Sequence, residues 1–180
     1  MIIDVSDFTS RPYKVPNQPE SPDFAEFVED KEIELATRYL LGWDLWELFN
    51  EAVNGSGALE DRFTDLLNGA FYEYAGINYK YEGWKNLVRP GIYADWMPNI
   101  SSKLTNIGVV RNDSPQQSKL EEDQYPFSVG PWNRFVKLSG FNGTHGYNYR
   151  NTLYGFLKVN EATYPEWEYN CPPFRNRFDL

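Results

Sequence analysis

The sequence predicts a mainly α-helical domain, a helical bundle that carries a small β-hairpin and has extended segments at both ends. Apolar side chains recur every three or four residues through most of the chain, which is the period of a helix with one buried face. Tyrosines alternate with other residues on both sides of Gly76, which is the period of paired strands. Prolines recur in the first twenty and the last seventeen residues and exclude a continuous helix there.

These patterns divide the chain into three parts. Residues 1–20 are predicted to form an extended N-terminal segment, and residues 21–163 a helical domain with the hairpin at about residues 71–82. Residues 164–180 are predicted to form an extended C-terminal arm. A chain of this length buries roughly 70% of its unfolded surface, so no disulfide or metal is needed to hold the fold.

The helices of the first half have recognisable start and stop signals. Ser21 and Pro22 are typical of an N-cap followed by the first helical residue, and Gly42 predicts the end of that helix. Asp44 is predicted to cap the second helix. A short third helix is predicted to end at Gly69.

The fourth helix is predicted to begin at Trp84, to kink at Pro90 and to stop by Pro98, because proline removes a backbone donor and crowds the preceding turn. Residues 104–110 are rich in β-branched side chains and favour a strand. The acidic run at residues 121–123 is interpreted as a solvated loop.

Two further helices complete the prediction. Gly130 and Pro131 are expected to open a helix whose apolar side chains include Trp132 and Phe135. The last helix is predicted at about residues 147–162.

Charge and hydropathy narrow the classes of function. The net charge is −9, which disfavours nucleic-acid binding by neutralisation of phosphates. No apolar stretch approaches the roughly 18 residues of a membrane span, and the N-terminus does not resemble a secretory signal. We therefore expect a protein without a membrane span, whose partners are other proteins, a cationic ligand or a sugar.

The residues that usually carry catalysis are scarce. His145 is the single histidine and lies in a glycine-rich loop, and Cys171 is the single cysteine. A catalytic base needs a rigid backbone position and a neighbouring group that orients its side chain, which such a loop does not offer. No phosphate-binding glycine motif or metal-ligand spacing occurs. The sequence predicts no enzyme, and it predicts neither catalytic residues nor a cofactor or metal.

The aromatic content, 17%, is the feature that stands out. Aromatic side chains and arginine dominate the energetics of protein interfaces, and the arm is rich in both. Because an irregular arm with so many rings has no obvious partner within its own chain, we predict that it is a protein interface. The predicted interface residues are Tyr164, Trp167, Tyr169, Phe174, Arg175, Arg177 and Phe178. For the hairpin tyrosines, a core and an interface are equally good interpretations.

Three stretches together resemble a known group of proteins. They are LTNIGVVRNDSPQQSK at residues 104–119, KVNEATYPEW at residues 158–167 and NRFDL at residues 176–180. The opening, a short β-prone segment followed by a helix with FVEDKEIELATRYLLG spacing, is similar as well. The chain resembles the head–tail connector proteins of tailed bacteriophages, including crAss-like phages, which are also called neck, adaptor, ring or head-completion proteins.

The resemblance implies a viral structural protein. Head–tail connector proteins assemble into a homo-oligomeric ring, commonly twelve-fold, that joins the portal to the tail around the DNA channel. The implied partners are further copies of the chain, the portal protein and neighbouring neck or tail proteins, while DNA passes without specific binding. The implied location is the head–tail junction of the virion, assembled in the host cytoplasm.

The alternative from a different class is a carbohydrate-binding module or a small glycan-active protein. The excess of tyrosine and tryptophan and the acidic side chains favour it. Such modules are usually β-sandwiches, whereas helical spacing prevails in this sequence.

Overall fold

The computed structural model describes residues 1–15, 22–101, 103–105, 108–110, 118–141 and 146–175. It confirms the predicted fold class, a mainly helical protein with a small antiparallel hairpin. The α-helices are α1 (Pro22–Leu35), α2 (Trp43–Asn54), α3 (Asp61–Asn68), α4 (Trp84–Ser101), α5 (Ser118–Ser139) and α6 (Leu153–Val159). The strands are β1 (Phe71–Tyr74), β2 (Ile77–Lys80), β3 (Lys103–Thr105) and β4 (Gly108–Val110).

Helix α4 packs against α5 and α1 in the centre of the molecule. Gly91 allows this close approach, because a Cβ atom there would lie 2.9 Å from Cδ1 of Leu35 and 3.2 Å from Cγ of Phe135. At the start of α4, the fully buried Trp84 stacks on Trp46 of α2 with ring centroids 5.6 Å apart. The core is therefore built from aromatic rings on helices that cross at α4.

The N-terminal segment is folded onto this core. Contrary to the prediction of an extended segment, it contains a short 3₁₀ helix, Val5–Phe8, whose Phe8 is fully buried. The buried carboxylate of Glu32 accepts hydrogen bonds from the backbone N–H groups of Ile2 and Ile3 and from the indole N–H of Trp84. A buried carboxylate is tolerated where donors surround it in this way.

The predicted hairpin is confirmed. Strands β1 and β2 pair with Tyr72 opposite Tyr79 and Tyr74 opposite Ile77. The two turn residues, Ala75 and Gly76, have φ angles of 53° and 77°, as a two-residue turn between right-twisted strands requires. The β-prone stretch at residues 104–110 also forms strands, since β3 pairs with β4.

Several helix boundaries differ from the predictions in the first half. Helix α1 begins at Pro22 as expected but ends at Leu35, and a π-helical turn, Ala36–Leu40, carries the chain to Gly42. Asp44 does not cap α2, because Gly42 is the N-cap and Asp44 lies in the first turn. Helix α3 ends before Gly69, as predicted. Ser21 lies outside the described residues.

The larger differences lie in the second half. Helix α4 does not stop at Pro98 but continues to Ser101. The acidic residues 121–123 are not in a loop, because α5 begins at Ser118 and runs through them and through Pro131. Helix α6 is shorter than predicted, since residues 147–152 precede it without forming a helix. Packing between α4 and α5 outweighs the local cost of a proline.

Candidate functional site

The first part of the arm belongs to the core of its own chain. Tyr164 is 2% exposed, and its ring packs edge-on against Phe156 of α6 with centroids 5.7 Å apart. Its hydroxyl donates a hydrogen bond of 2.6 Å to the carbonyl oxygen of Arg62. Burial raises the pKa of Tyr164, and the negative charge of Asp65 adds to the shift.

The middle of the arm is bonded to the π-helical turn and its C-cap. The backbone N–H of Glu168 donates to the carbonyl of Leu41 at 3.0 Å, and that of Asn170 donates to the carbonyl of Tyr39 at 3.1 Å. The indole N–H of Trp167 donates to the carbonyl of Leu40 at 2.9 Å. An irregular arm thus satisfies the carbonyl groups at a helix end.

The described end of the arm is fixed on α5 and α4. The guanidinium of Arg175 lies 3.6 Å from the ring centroid of Trp132 and 2.6 Å from a carboxylate oxygen of Asp95. Asn133 exchanges two hydrogen bonds with the backbone of Arg175. Phe174 packs on Phe141 with ring centroids 5.6 Å apart.

The expectation that the arm has no partner within its own chain is therefore wrong. Tyr164, Trp167, Tyr169, Phe174 and Arg175 all contact the rest of the same chain. The prolines prevent a helix, as predicted, but extended backbone packs as well as a helix does when its polar groups find partners. The two remaining predicted interface residues, Arg177 and Phe178, lie outside the described residues.

Part of the arm nevertheless contributes to a continuous aromatic surface, which we call the tyrosine surface. Its members come from β1, from the segment before α6, from α6 and from the arm: Tyr74, Tyr147, Tyr149, Tyr154, Trp167 and Tyr169. Two pairs, Tyr74–Tyr149 and Tyr147–Tyr154, stack almost parallel with ring centroids 4.4 Å apart. The pairs meet edge-to-face, because Tyr149 and Tyr154 are inclined at 72°.

Two rings of the tyrosine surface are exposed on one side. The exposed fraction is 49% for Tyr147 and 39% for Tyr74, although each has one face covered by its stacking partner. Part of each ring is therefore open to solvent. Next to Tyr74 in the hairpin, Ile77 is 54% exposed, and Phe71 at the base of β1 is 76% exposed.

The β2 edge of the hairpin has a hydrogen-bond partner, whereas the β1 edge has none among the described residues. Ala70 and Tyr81 exchange backbone hydrogen bonds of 3.1 and 2.9 Å, so the next pair, Phe71 and Lys80, turns its backbone groups outward. On the β2 side, the N–H of Lys80 donates to the side chain of Asn151. On the β1 side, the backbone groups of Phe71 and Glu73 have no partner among the described residues.

Burial governs the ionisation of the tyrosine surface. Burial raises the pKa of Tyr154, and the neighbouring phenol of Tyr149 and the negative charge of Glu161 add to the shift. Burial also raises the pKa of Tyr169, whose hydroxyl lies 3.1 Å from that of Ser139. The hydroxyls of Tyr154 and Tyr169 are therefore protonated at neutral pH, and the carboxylate of Glu161 is paired with the ammonium group of Lys158 at 2.7 Å.

The sequence contained a signal for this surface that the helix prediction obscured. Tyr147 and Tyr149 fall within the helix predicted at about residues 147–162, but they alternate with polar residues as strand residues do. Phe141 and Tyr147 in fact form an isolated antiparallel bridge. The contribution of Tyr74 was not predictable, since it requires the hairpin to lie beside the start of α6.

Of the two residues considered for catalysis, the structure describes Cys171 but not His145. His145 lies outside the described residues. Burial raises the pKa of the Cys171 thiol to about 11, so the thiol is protonated at neutral pH.

In the described part of the chain, no three His, Cys, Asp or Glu side chains come together as metal ligands. No helix among the described residues is long and apolar enough to cross a membrane.

Comparison with known proteins gives one match. A family model described as a family of unknown function, DUF6712, matches residues 39–177 of the chain. The matched region includes α2 to α6, the hairpin and the described part of the arm. No curated protein and no solved structure matches the chain.

Proposed function

We propose that this chain, which belongs to the DUF6712 family, is a structural subunit of the neck of a tailed bacteriophage. In this proposal, copies of the chain form a ring that joins the portal to the tail around the DNA channel, at the head–tail junction of the virion. The resemblance of residues 104–119, 158–167 and 176–180 to head–tail connector proteins supports it. The proposal assigns no catalytic residue, cofactor or metal.

The observation that carries the proposal is the exposure of large apolar side chains in the hairpin and in the tyrosine surface. Phe71, Ile77 and Tyr147 are all about half exposed or more. Tyr74 and Ile77 lie on one face of the hairpin, beside Tyr149, whereas Phe71 lies on the opposite face, because side chains alternate along a strand. Large exposed apolar side chains are typical of surfaces that another protein covers. Aromatic rings with a polar hydroxyl suit an interface that is built from subunits which fold before they assemble.

A ring requires two different surfaces on each copy, because a head-to-tail contact joins one face of a subunit to another face of its neighbour. The tyrosine surface is one candidate. A second candidate surface lies at the start of α2, where the large apolar side chain of Trp43 is 61% exposed. The negative charge of the chain fits a ring that DNA passes through, since attraction to phosphates would hinder passage.

Mass photometry and negative-stain electron microscopy of the purified chain, alone and with a portal protein, test the proposal. The expected result is a closed ring, formed by the chain alone or on the portal. A chain that stays monomeric at high concentration and does not bind the portal contradicts it.

The carbohydrate-binding alternative has one observation in its favour, the partial exposure of the rings of Tyr74 and Tyr147 in the tyrosine surface. The faces of sugar rings pack on such aromatic faces. The mainly helical fold departs from the β-sandwich that is usual for these modules. Binding to a glycan array, lost in Tyr147→Ala, would favour this alternative over the ring.

A further inference from the structure

The β1 edge of the hairpin offers hydrogen-bond donors and acceptors to a further strand. Ala70 and Tyr81 exchange backbone hydrogen bonds, so the N–H and C=O groups of Phe71 and Glu73 point away from β2. None of these outward groups has a partner among the described residues. An unpaired strand edge of this kind binds strands of other chains.

The β2 edge is not available in the same way. The N–H of Lys80, which points outward on that side, donates to Oδ1 of Asn151 at 2.9 Å. A strand that approaches β2 would have to displace this side chain. A new strand therefore adds to the hairpin at β1 without breaking an existing hydrogen bond.

The side chains beside the β1 edge are exposed and carry both charges. Phe71 is 76% exposed, and Glu73 is exposed and forms no ion pair among the described residues. Lys80 lies directly opposite Phe71 on β2, and its ammonium group lies 3.3 Å from the carboxylate of Glu82. Both side chains of this ion pair are about half exposed, and such a pair contributes little to stability. The lysine is therefore able to exchange its carboxylate for another at little cost.

A second copy of this chain carries the same edge, and two such edges pair antiparallel about a two-fold axis in three registers. In the first register, Phe71 of each copy lies opposite Glu73 of the other. In the second and third, Phe71 or Glu73 lies opposite its own equivalent. The first register uses all the outward backbone groups of both copies, because each of its two residue pairs exchanges two hydrogen bonds.

The second and third registers form fewer hydrogen bonds. When Phe71 lies opposite Phe71, Glu73 falls opposite Gly69, and the N–H of Gly69 is already bonded to the carbonyl of Asp65 at 2.9 Å. When Glu73 lies opposite Glu73, two like charges meet, which is unfavourable. Phe71 then falls opposite Ala75, which is a turn residue with a φ angle of 53°. The edge is therefore complementary to itself in the first register.

The first register also brings opposite charges together. In the joined sheet, Phe71 lies between Lys80 of its own chain and Glu73 of the second copy, and the three side chains share one face. Neighbouring strands are about 4.8 Å apart, so the long side chains of a lysine and a glutamate two strands apart meet over the phenyl ring between them. The two-fold axis repeats this contact. The charges of the two edges are therefore complementary.

We propose that two copies of this chain pair through their β1 edges and join their hairpins into one four-stranded antiparallel sheet, with Phe71 of each copy opposite Glu73 of the other. This pairing goes beyond the proposed function, because a two-fold contact closes on itself, whereas a ring needs a head-to-tail contact. Tyr74 and Ile77 lie on the other face of the hairpin and stay available to the ring. The paired strands have four residues each and bury far less than the roughly 1,200 Å² of a standard interface, so the dimer is weak.

Proline substitution on the two edges tests the pairing. Glu73→Pro removes an outward N–H group of β1 and leaves the bonds between β1 and β2 in place. Asn78→Pro is the matched control, because Asn78 lies directly opposite Glu73 and its N–H points outward on the β2 side. Sedimentation equilibrium of the full chain, up to high micromolar concentration, measures the association constant. Glu73→Pro is expected to lower it about tenfold or more, and Asn78→Pro to change it less than about twofold. Circular dichroism checks that both variants fold.

Cysteine cross-linking tests the register. Phe71→Cys and Glu73→Cys are each prepared with Cys171→Ser, so that each chain has a single thiol, and are then mixed under mild oxidation. In the proposed register the two cysteines lie opposite each other, at the Cα separation of about 5.5 Å that a disulfide spans. Identical cysteines lie diagonally, beyond the roughly 7 Å limit. The mixture is therefore expected to form disulfide dimers at least about fivefold faster than either variant alone.

The outcomes separate this inference from the proposed function. A chain that stays monomeric alone, equal effects of the two prolines, or faster cross-linking within a single variant overturns the β1 pairing, and a ring that forms with the portal protein still supports the proposed function. A dimer with the expected cross-link that forms no ring with the portal protein supports the pairing and overturns the ring. Protection of the Phe71 and Glu73 amides from hydrogen exchange only when the portal protein is added shows that the edge binds another protein, which also overturns the pairing.

Discussion

The arm and the hairpin are both aromatic, but their rings are buried to different extents. Both are rich in aromatic residues and neither is helical. In the arm, the hydroxyl of Tyr164 and the indole of Trp167 donate to carbonyl groups of their own chain. In the hairpin, Phe71 is 76% exposed, and the backbone groups of Phe71 and Glu73 have no partner among the described residues. Within the hairpin, only Tyr72 is bonded to the chain in the same way, through its hydroxyl and the carbonyl of Tyr149. Aromatic content alone thus does not decide whether a segment is buried.

Truncation after Ala162 should have the largest effect. It removes the buried ring of Tyr164 and the backbone hydrogen bonds to Leu41 and Tyr39. Loss of one buried aromatic side chain costs about 3–5 kcal/mol, a large part of the 5–15 kcal/mol that stabilises a typical domain. We expect the truncated chain to lose cooperative thermal unfolding, measured by circular dichroism.

A truncated chain that unfolds cooperatively near the wild-type temperature would contradict this. It would mean that the arm docks on another molecule and that its packing on the chain is incidental. Phe71→Ser in the hairpin is the comparison variant for the same measurement.

Tyr164→Ala should lower the free energy of unfolding by about 3–5 kcal/mol, because it opens a cavity next to Phe156. Tyr164→Phe keeps the ring and removes the hydrogen bond to the carbonyl of Arg62, so a loss of about 1 kcal/mol is expected. Urea unfolding measures both changes. Equal losses in the two variants would show that the hydrogen bond, and not the packing, anchors the arm.

High pH should destabilise the fold through the arm. Burial raises the pKa of Tyr164 and of Tyr169 above the ordinary value of 10.0. Their contribution to stability is therefore complete below pH 10 and is lost as the pH rises above it, because the unfolded chain releases these protons first. Between pH 10 and 12, the double variant Tyr164→Phe, Tyr169→Phe should lose less stability than the wild type in urea unfolding. The same loss of stability in the wild type and in the double variant would show that these two tyrosines do not cause it.

Phe71→Ser should have the smallest effect on stability. The side chain is 76% exposed, and surface substitutions usually change the free energy of unfolding by less than about 0.5 kcal/mol. Association of the chain, measured by mass photometry, should nevertheless weaken. A loss of several kcal/mol in stability, or unchanged association, would remove the hairpin from the proposed interface.

The elements with strong local signals were predictable from the sequence. Pro22 at the start of α1 and the turn at Gly76 impose their conformations through their own backbone preferences. The second and third helices were also predicted, and their rings Phe49 and Phe63 are buried in the structure. In each case a few adjacent residues determine the structure.

The errors occurred where distant contacts decide the structure. Helix α5 includes the acidic residues 121–123 and Pro131, and α4 runs through Pro98, although each feature locally favours a break. The helices pack extensively on each other along their length, which compensates a poor local preference.

The candidate surface was predictable only in part. Trp167 and Tyr169 were correctly singled out as aromatic residues outside any helix, but their packing against Tyr154 joins residues far apart in the chain. The same holds for the stacking of Tyr74 on Tyr149. Sequence periodicity describes single elements and does not say which of them lie side by side.

Hydrogen exchange of the dissociated and the assembled chain, read by mass spectrometry, tests the central claim most directly. The amides of Glu168 and Asn170 are bonded within the chain, so they should exchange slowly in both states. The amides of Phe71 and Glu73 at the open edge should exchange fast in the dissociated chain and more slowly after assembly. The opposite result, with arm amides protected only after assembly and hairpin amides unchanged, would show that the arm is an intermolecular clamp and contradict this account.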